Sequence, residues 1–266
     1  MLNVESFFDL TDCTDTDLFT PGDLPWQPLD RLKNYMDDYQ YPDYNELYRE
    51  AATPLAKHLI IHDNQILPSD DCQILFGDAT KQQLQVRRGE TILTGASVIM
   101  AGAIIVGKQL ALGKGVLIEA SAMLKTPAII GDYTEVRQGA YLRGYCLAGK
   151  RCVLGHTTEI KHSILFDDAK AGHFAYVGDS ILGHDTNLGA GTKLANLRFL
   201  AGNVQIRYNG ERLNTGRRKL GAILGDGCQT GCNAVTNPGT ILGPESLLSA
   251  NTTAKPGIYP QKTRLR

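Results

Sequence analysis

The chain has no excess of either charge: 27 Lys and Arg stand against 28 Asp and Glu in 266 residues. Holding a nucleic-acid backbone or an anionic membrane surface takes a concentration of positive charge, so neither partner class is expected. There is no apolar run of about 18 residues, the length a membrane span requires. The opening stretch MLNVESFFDLTDCTD is acidic and lacks the basic-then-apolar layout of a secretory signal, so a cytoplasmic protein is expected. A zinc-type cysteine pattern is also missing. Cys228 and Cys232 have no second ligand pair at zinc spacing, so no metal is expected. The other cysteines are Cys13, Cys72, Cys146 and Cys152, and reduced thiols are the simplest reading of all six.

What is present is a period of six. From Met100 to Phe166 an apolar residue recurs at almost every sixth place: Met100, Val106, Leu112, Ile118, Leu124, Ile130, Val136, Leu142, Ala148, Leu154, Ile160, Phe166. A second, smaller inward candidate follows four places on, as at Ile104, Leu110, Ala122, Cys146, Cys152 and Ile164, and Cys228 resumes that series further along. Glycine often comes directly after the first apolar residue, as at Gly107, Gly113, Gly131, Gly149 and Gly155. Six is neither the 3.6 of a helix nor the two of a plain strand. It marks a parallel β-helix of hexapeptide repeats, in which short strands meet at tight corners. Three hexads make one coil, and roughly eight coils at strand spacing build a prism about 40 Å long. The pattern does not give the hand of the coil.

Outside this region the chain reads differently. Residues 1–65 form a helical or irregular N-terminal cap over the open first coil, with a helix over Asp30–Tyr39 capped by Asp30 and a second candidate over Asn45–Ala56. Residues 66–257 form the β-helix, with irregular lead-in strands up to Leu93. The period slips between Phe166 and Leu182, where 16 residues stand in place of 18. It is broken again by an insertion over 197–221 that carries a β-hairpin around Asn209-Gly210. Residues 258–266 are expected to be a mobile tail.

Chemistry-bearing residues gather beside the slip: Arg143, Lys161, AGHFAYVGD at 171–179, NLGAGT at 187–192, and Asn196. Together with EIK and the return at ILGD, these strings resemble the C-terminal acetyltransferase domain of bacterial GlmU, which N-acetylates glucosamine-1-phosphate with acetyl-CoA. TGRRKLGAILGD and TGCNAVTNPGT look closer still to the related domain of archaeal sugar-1-phosphate nucleotidylyltransferases. The resemblance runs from about Tyr141 to Ala250. It implies a left-handed parallel β-helix, a homotrimer with sites between subunits, and acetyl-CoA as co-substrate.

Carried over by residue, His173 matches the general base that takes a proton from the attacking amine. Arg143 and Lys161 match cations that hold the sugar phosphate. Tyr176 matches a substrate contact. Asn187 and Asn196 match residues that hold the sugar and orient the reacting groups, with polar groups near Asn196 stabilising the tetrahedral oxyanion. Ala190 and Ala250 match places where backbone meets acetyl-CoA. Cys232 stands where a serine is usual near the cofactor, and Lys219 matches a basic residue reaching in from the loop. Leu197 replaces a tyrosine of the bacterial pattern. No GxGTR-type segment follows a strand near the N-terminus, so nucleotidyl transfer, if required, is expected from a separate nucleotidyltransferase. A non-catalytic trimeric scaffold or sugar-phosphate binder is the alternative function. A γ-carbonic-anhydrase-like metal site is weighed against His156, His162, His173 and His184, but His156 and His162 lie on neighbouring faces.

Overall fold

A computed structural model describes residues 2–11, 17–44, 47 and 52–266. From Ser97 onward the solenoid advances in strands of two to four residues separated by tight corners. Strands this short bury too little to persist alone. Each is held by parallel pairing to the equivalent strand one coil earlier and one coil later. The product is a mainly β fold, a three-sided parallel β-helix consistent with the left-handed hexapeptide-repeat class. The first face runs from Ser97–Ile99 through Val153–His156, Lys170–His173 and Asn187–Leu188 to Arg264–Leu265. The second runs from Ile104–Val106 through Met123–Lys125, Tyr141–Arg143, Glu159–Lys161 and Tyr176–Gly178 to Thr253–Ala254. The third runs from Leu110–Leu112 through Ser163–Leu165 and Ala222–Leu224 to Gly257–Tyr259.

The six-residue period holds through the middle of the ladder from Met100 to Phe166 and fails by one residue at each end of that ladder. Ile99 pairs with Ile118 and Ile105 with Leu124, so the inward positions of the first coil are Ile99 and Ile105. Met100 and Val106, expected inside, are half-buried. The corner from Val106 to Gln109 holds one residue more than its counterpart in the next coil. At the other end Ala148, the inward residue of its strand, pairs with Leu165, so Leu165 faces inward and Phe166 outward. Phe166 is nonetheless buried, with its ring 5.0 Å from those of Phe8 and Phe19.

The slip expected between Phe166 and Leu182 is made of two single losses, one just before that stretch and one within it. Leu154 pairs with Ala171 and Ile160 with Val177, a 17-residue coil. Relative to 18-residue coils, one residue is lost in each of two successive coils, both times at the corner between the second and third faces. Arg143, Gly144 and Tyr145 turn that corner in one coil, whereas Lys161 and His162 do so in the next, and Gly178 and Asp179 in the one after. Ser163 and Ser180 then occupy the small inward position in place of Ile164 and Ile181. Their hydroxyls repair the tight turns. Ser163 Oγ donates to Lys161 O at 2.8 Å and accepts from Ser180 N at 3.2 Å. Ser180 Oγ donates to Gly178 O and accepts from Ala222 N.

Only the later part of the N-terminal segment lies over the first coil; its earlier part, expected in the same cap, packs elsewhere. Val4, Phe7, Phe8, Phe19, Trp26, Leu29, Leu32 and Met36 pack on the outer side of the third face against Leu147, Ile164, Ile181, Ile223 and Ile241. The same cluster takes in Val204 and Ile206 of the inserted hairpin. The helix is Pro28–Asp38, with Pro28 in the first turn, so Asp30 lies inside it and is not its cap. Half of the second helix expected over 45–56 falls outside the described residues, and the described run 52–56 is not helical. The first coil is covered by Tyr44, Leu47 and Leu55, which join the main core with Ile99 and Ile105.

The lead-in strands are also not coils. Leu59–His62 and Gln65–Pro68 form an antiparallel hairpin that pairs on to Ser97–Ile99. Cys72–Leu75, Gln85–Arg88 and Thr91–Ile92 form a separate three-stranded meander. The expected mobile tail is structured, since Gly257–Tyr259 and Arg264–Leu265 pair with the preceding coil. The insertion hairpin matches expectation: Gln205–Tyr208 pairs with Glu211–Asn214 across Asn209 and Gly210, both at positive φ as a type I′ turn demands. Burial pushes the thiols of Cys146, Cys152 and Cys228 up to about 12, so these cysteines act as small core residues. Cys13 lies outside the described residues.

Ser163→Ala leaves the buried N–H of Ser180 without its acceptor. The variant is expected to lose about 1–3 kcal/mol of stability, read as a lower urea midpoint at unchanged slope. An unaltered midpoint would show that the short corner does not depend on the hydroxyl.

Candidate active site

The corner between the first and second faces requires one residue per coil in the left-handed region. Thr157, Phe174, Gly191, Asn233 and Asn251 occupy it, with φ of 51, 53, 76, 56 and 57°. The residues just before them are His156, His173, Ala190, Cys232 and Ala250. Backbone hydrogen bonds lock these into one column: Phe174 N to His156 O, Gly191 N to His173 O, Asn233 N to Ala190 O, and Asn251 N to Cys232 O, all within 2.8–3.0 Å. His173, Ala190, Cys232 and Ala250, each singled out from sequence, thus stand on consecutive rungs of one edge. From His173 to Ala250 is three rungs, roughly 14 Å at strand spacing.

His173, Cys232 and Ala250 are exposed and Ala190 is half-buried. Beyond His173 the side chains are small, which leaves backbone accessible along a narrow strip. Phe174 is a bulky residue in a conformation that costs such residues energy, and it is 54% exposed. His156, stacked directly on His173, meets the Phe174 ring edge-on at 5.3 Å. The sequence reading did not pair these two histidines, because the 17-residue coil obscures their register.

The second face adjoins this edge. Its outward side chains include Tyr141, Arg143, Glu159, Lys161 and Tyr176. Arg143 Nη1 donates to Glu159 Oε1 at 2.5 Å, and that bond holds the guanidinium pKa above its ordinary value. Burial raises the pKa of the Tyr176 hydroxyl, so it stays protonated, and it is hydrogen-bonded to Asn196. Asn196 is buried, and its Nδ2 donates to Asp179 Oδ2 at 2.6 Å. A Cβ on Gly178 would lie 2.6 Å from Tyr176 Oη and 2.7 Å from Asn196 Nδ2, so only glycine permits this convergence.

Asp179 was not singled out by sequence reasoning, although it ends the AGHFAYVGD string. It sits on the shortened corner at φ 48° and is 5% exposed. Its Oδ1 faces His162 Nδ1 at 3.4 Å and Arg217 Nη2 at 3.6 Å. Arg217 in turn reaches Asp30 of the helix. The polar cluster therefore joins the root of the insertion, the shortened corner and the N-terminal segment. Burial lowers the pKa of His162, against the opposing pull of Asp179.

The remaining two residues are placed apart within one chain. Asn187 is exposed on the first face. Lys219 is exposed at the root of the insertion, bridged to Leu197, on the edge opposite the column of Ala190, Cys232 and Ala250. Among the described residues no group of three or more His, Cys, Asp or Glu is placed to hold a metal ion. Among them, too, no helix is long and apolar enough to cross a membrane.

Two outcomes follow from this geometry. Gly178→Ala is expected to push Tyr176 and Asn196 apart, lowering affinity for any ligand that meets both while leaving the unfolding transition cooperative. Calorimetric titration alongside urea unfolding measures the two. The second concerns pH. An unfolded His162 takes up its proton near 6.5, and the folded one only at lower pH. Between those values the unfolded chain binds more protons, so His162 makes stability fall as pH drops below about 6.5. The urea midpoint of His162→Asn is expected to change less between pH 7.5 and 5.5 than that of the parent chain, and an equal change would refute the assignment.

Comparison with known proteins gives this geometry a context. The pattern of the GMPPB C-terminal domain matches residues 124–214. The chain is 41% identical over 104 residues, 39% of its length, to the bifunctional sugar-1-phosphate nucleotidylyltransferase/acetyltransferase of Sulfurisphaera tokodaii, of which it covers 26%. It is 40% identical over 112 residues, 42% of its length, to the bifunctional protein GlmU of Methanococcus maripaludis, of which it covers 27%. A longer match, 29% identical over 72% of the chain, is to the GlmU of a Nostoc species, of which it covers 38%. The chain thus spans about a quarter of the first two relatives. A perosamine N-acetyltransferase of Caulobacter crescentus, solved with CoA and GDP-perosamine, is similar at 16% identity with a TM-score of 0.23, covering 60% of this chain and 52% of that one.

Proposed function

We propose that this solenoid is an acetyl-CoA-dependent N-acetyltransferase acting on an aminosugar phosphate, a reading supported by its likeness to a protein named a bifunctional sugar-1-phosphate nucleotidylyltransferase/acetyltransferase. The observation that carries the reading is the column of His173, Ala190, Cys232 and Ala250 beside a face that presents Tyr176, Lys161 and Arg143. A strip of exposed backbone with small side chains suits the long pantetheine arm of acetyl-CoA. The cations beside it suit a phosphate. His173 stands where strip and cationic face meet, which is where amine and thioester must be brought together.

The chemistry then follows. A neutral imidazole at His173 accepts the proton as the amine attacks the thioester carbonyl. The tetrahedral intermediate collapses with cleavage of the carbon–sulfur bond, and the proton leaves with the thiol of CoA. Asn196, held by Asp179 and Tyr176, is fixed as a wall of the acceptor pocket. The separation of Asn187 and Lys219 from the column within one chain supports a homotrimer in which a neighbouring subunit completes each site. Nucleotidyl transfer is not assigned to the described residues, and a separate nucleotidyltransferase is the partner this reading implies.

A thiol-release assay with acetyl-CoA against glucosamine-1-phosphate, galactosamine-1-phosphate and the unphosphorylated sugars tests the reading. Release that needs both amine and phosphate is expected, and His173→Ala should lower kcat by about 100-fold or more with KM little changed. Full activity in His173→Ala would remove the base. Saturable binding of both ligands with no release in the parent chain would favour a non-catalytic binder.

A further inference from the structure

The second face carries more cationic surface than one phosphate needs. Lys125, Arg143 and Lys161 stand on three successive strands in one outward column, with Lys125 and Arg143 directly paired in register. Arg143 is engaged by Glu159, but neither Lys125 nor Lys161 is ion-paired among the described residues. Lys125 Nζ lies 5.4 Å from the centre of the Tyr141 ring, and the Arg143 guanidinium lies 5.9 Å from it. Tyr141 is thus a half-buried aromatic surface with a cation on two neighbouring rungs.

The direction of this column matters. The strip from His173 to Ala250 runs toward the C-terminal end of the solenoid. The cationic column runs the opposite way from the Tyr176 rung: Lys161 is one rung away, Arg143 two and Lys125 three, the last roughly 14 Å along the axis. A sugar ring with one phosphate reaches over roughly two of these rungs. Tyr141, on the Arg143 strand, lies at the end of such a ligand, and Lys125 lies past it.

From this we infer that Lys125 and Tyr141 form an outer subsite for a second phosphate and the group attached to it, so that the acceptor is an aminosugar carried on a nucleoside diphosphate. Lys161 and Arg143 hold the phosphate next to the sugar. Lys125 holds the outer one, and the Tyr141 ring, one rung nearer the sugar, offers a flat surface on which the nucleobase stacks by folding back over the phosphates. The inference rests on reading this face as the acceptor site, and it extends the acceptor by one phosphate and one nucleoside.

The test uses binding, which does not require turnover. UDP-glucosamine and glucosamine-1-phosphate are titrated calorimetrically into the full chain, into Lys125→Ala and into Tyr141→Leu. The parent chain is expected to bind UDP-glucosamine at least tenfold more tightly. That preference should fall about tenfold in Lys125→Ala, fall in Tyr141→Leu, and return in Lys125→Arg. Equal affinities in the parent, a preference untouched by Lys125→Ala, or no binding of the diphosphate would each overturn the outer subsite. Thiol release with glucosamine-1-phosphate and no preference for the diphosphate would remove the subsite and keep the acetyltransferase. A Lys125-dependent preference without thiol release from either sugar would keep the subsite and remove the acetyltransferase.

Discussion

Everything in this molecule depends on strands too short to exist alone. Two or three residues cannot bury enough surface to hold their own conformation, so each strand borrows its stability from the rungs above and below. The inward column of Ile118, Val136, Leu154, Ala171 and Leu188 makes that borrowing possible, because each side chain rests on its equivalent one coil away. Once register is fixed by stacking, the corners are fixed as well. Corners are where this chain places its unusual chemistry.

Corner length is the variable that the protein uses. Where the turn between the second and third faces loses a residue, His162 and Asp179 are drawn into largely buried positions at positive φ. Where that turn is lengthened instead, the insertion appears, and its root returns Arg217 to the same point. Shortening and lengthening at one edge thus produce a single buried cluster. Through Asp30 the cluster reaches the N-terminal helix, which lies outside the segment matched by the family pattern. The aromatic packing of Phe8 and Phe19 on Phe166 holds that helix's segment against the solenoid.

The repeat was plain in the sequence because hexad spacing places inward residues by counting alone, and the Asn209-Gly210 turn was plain because both residues tolerate positive φ. Counting failed at Met100, Val106 and Phe166, since one-residue changes in corner length alter which residue faces inward without altering composition. Phe166 shows why the error was invisible: it is buried, but by Phe8 and Phe19, and long-range partners leave no local signature. The N-terminal segment misled for the same reason, because apolar spacing says that a helix is buried and not against what. At the candidate site, His173, Ala190, Cys232 and Ala250 were nameable from motif strings. Their alignment on one edge was not, because it requires a shortened coil and the insertion over 197–221 to be registered together. Asp179 and Lys125 went unnoticed, since a charged residue in a corner or on a strand looks the same in sequence whether it is solvated or placed.

The even pitch of the rungs has one further consequence. Ligand-facing groups on this scaffold are separated by whole steps of about 4.8 Å, and a loop cannot adjust that spacing gradually. The distance between the end that meets the anion and the end that meets the thioester is therefore a ruler with fixed graduations. Ligands of another length are accommodated by choosing a different rung for a lysine or an alanine, and the backbone stays where it is.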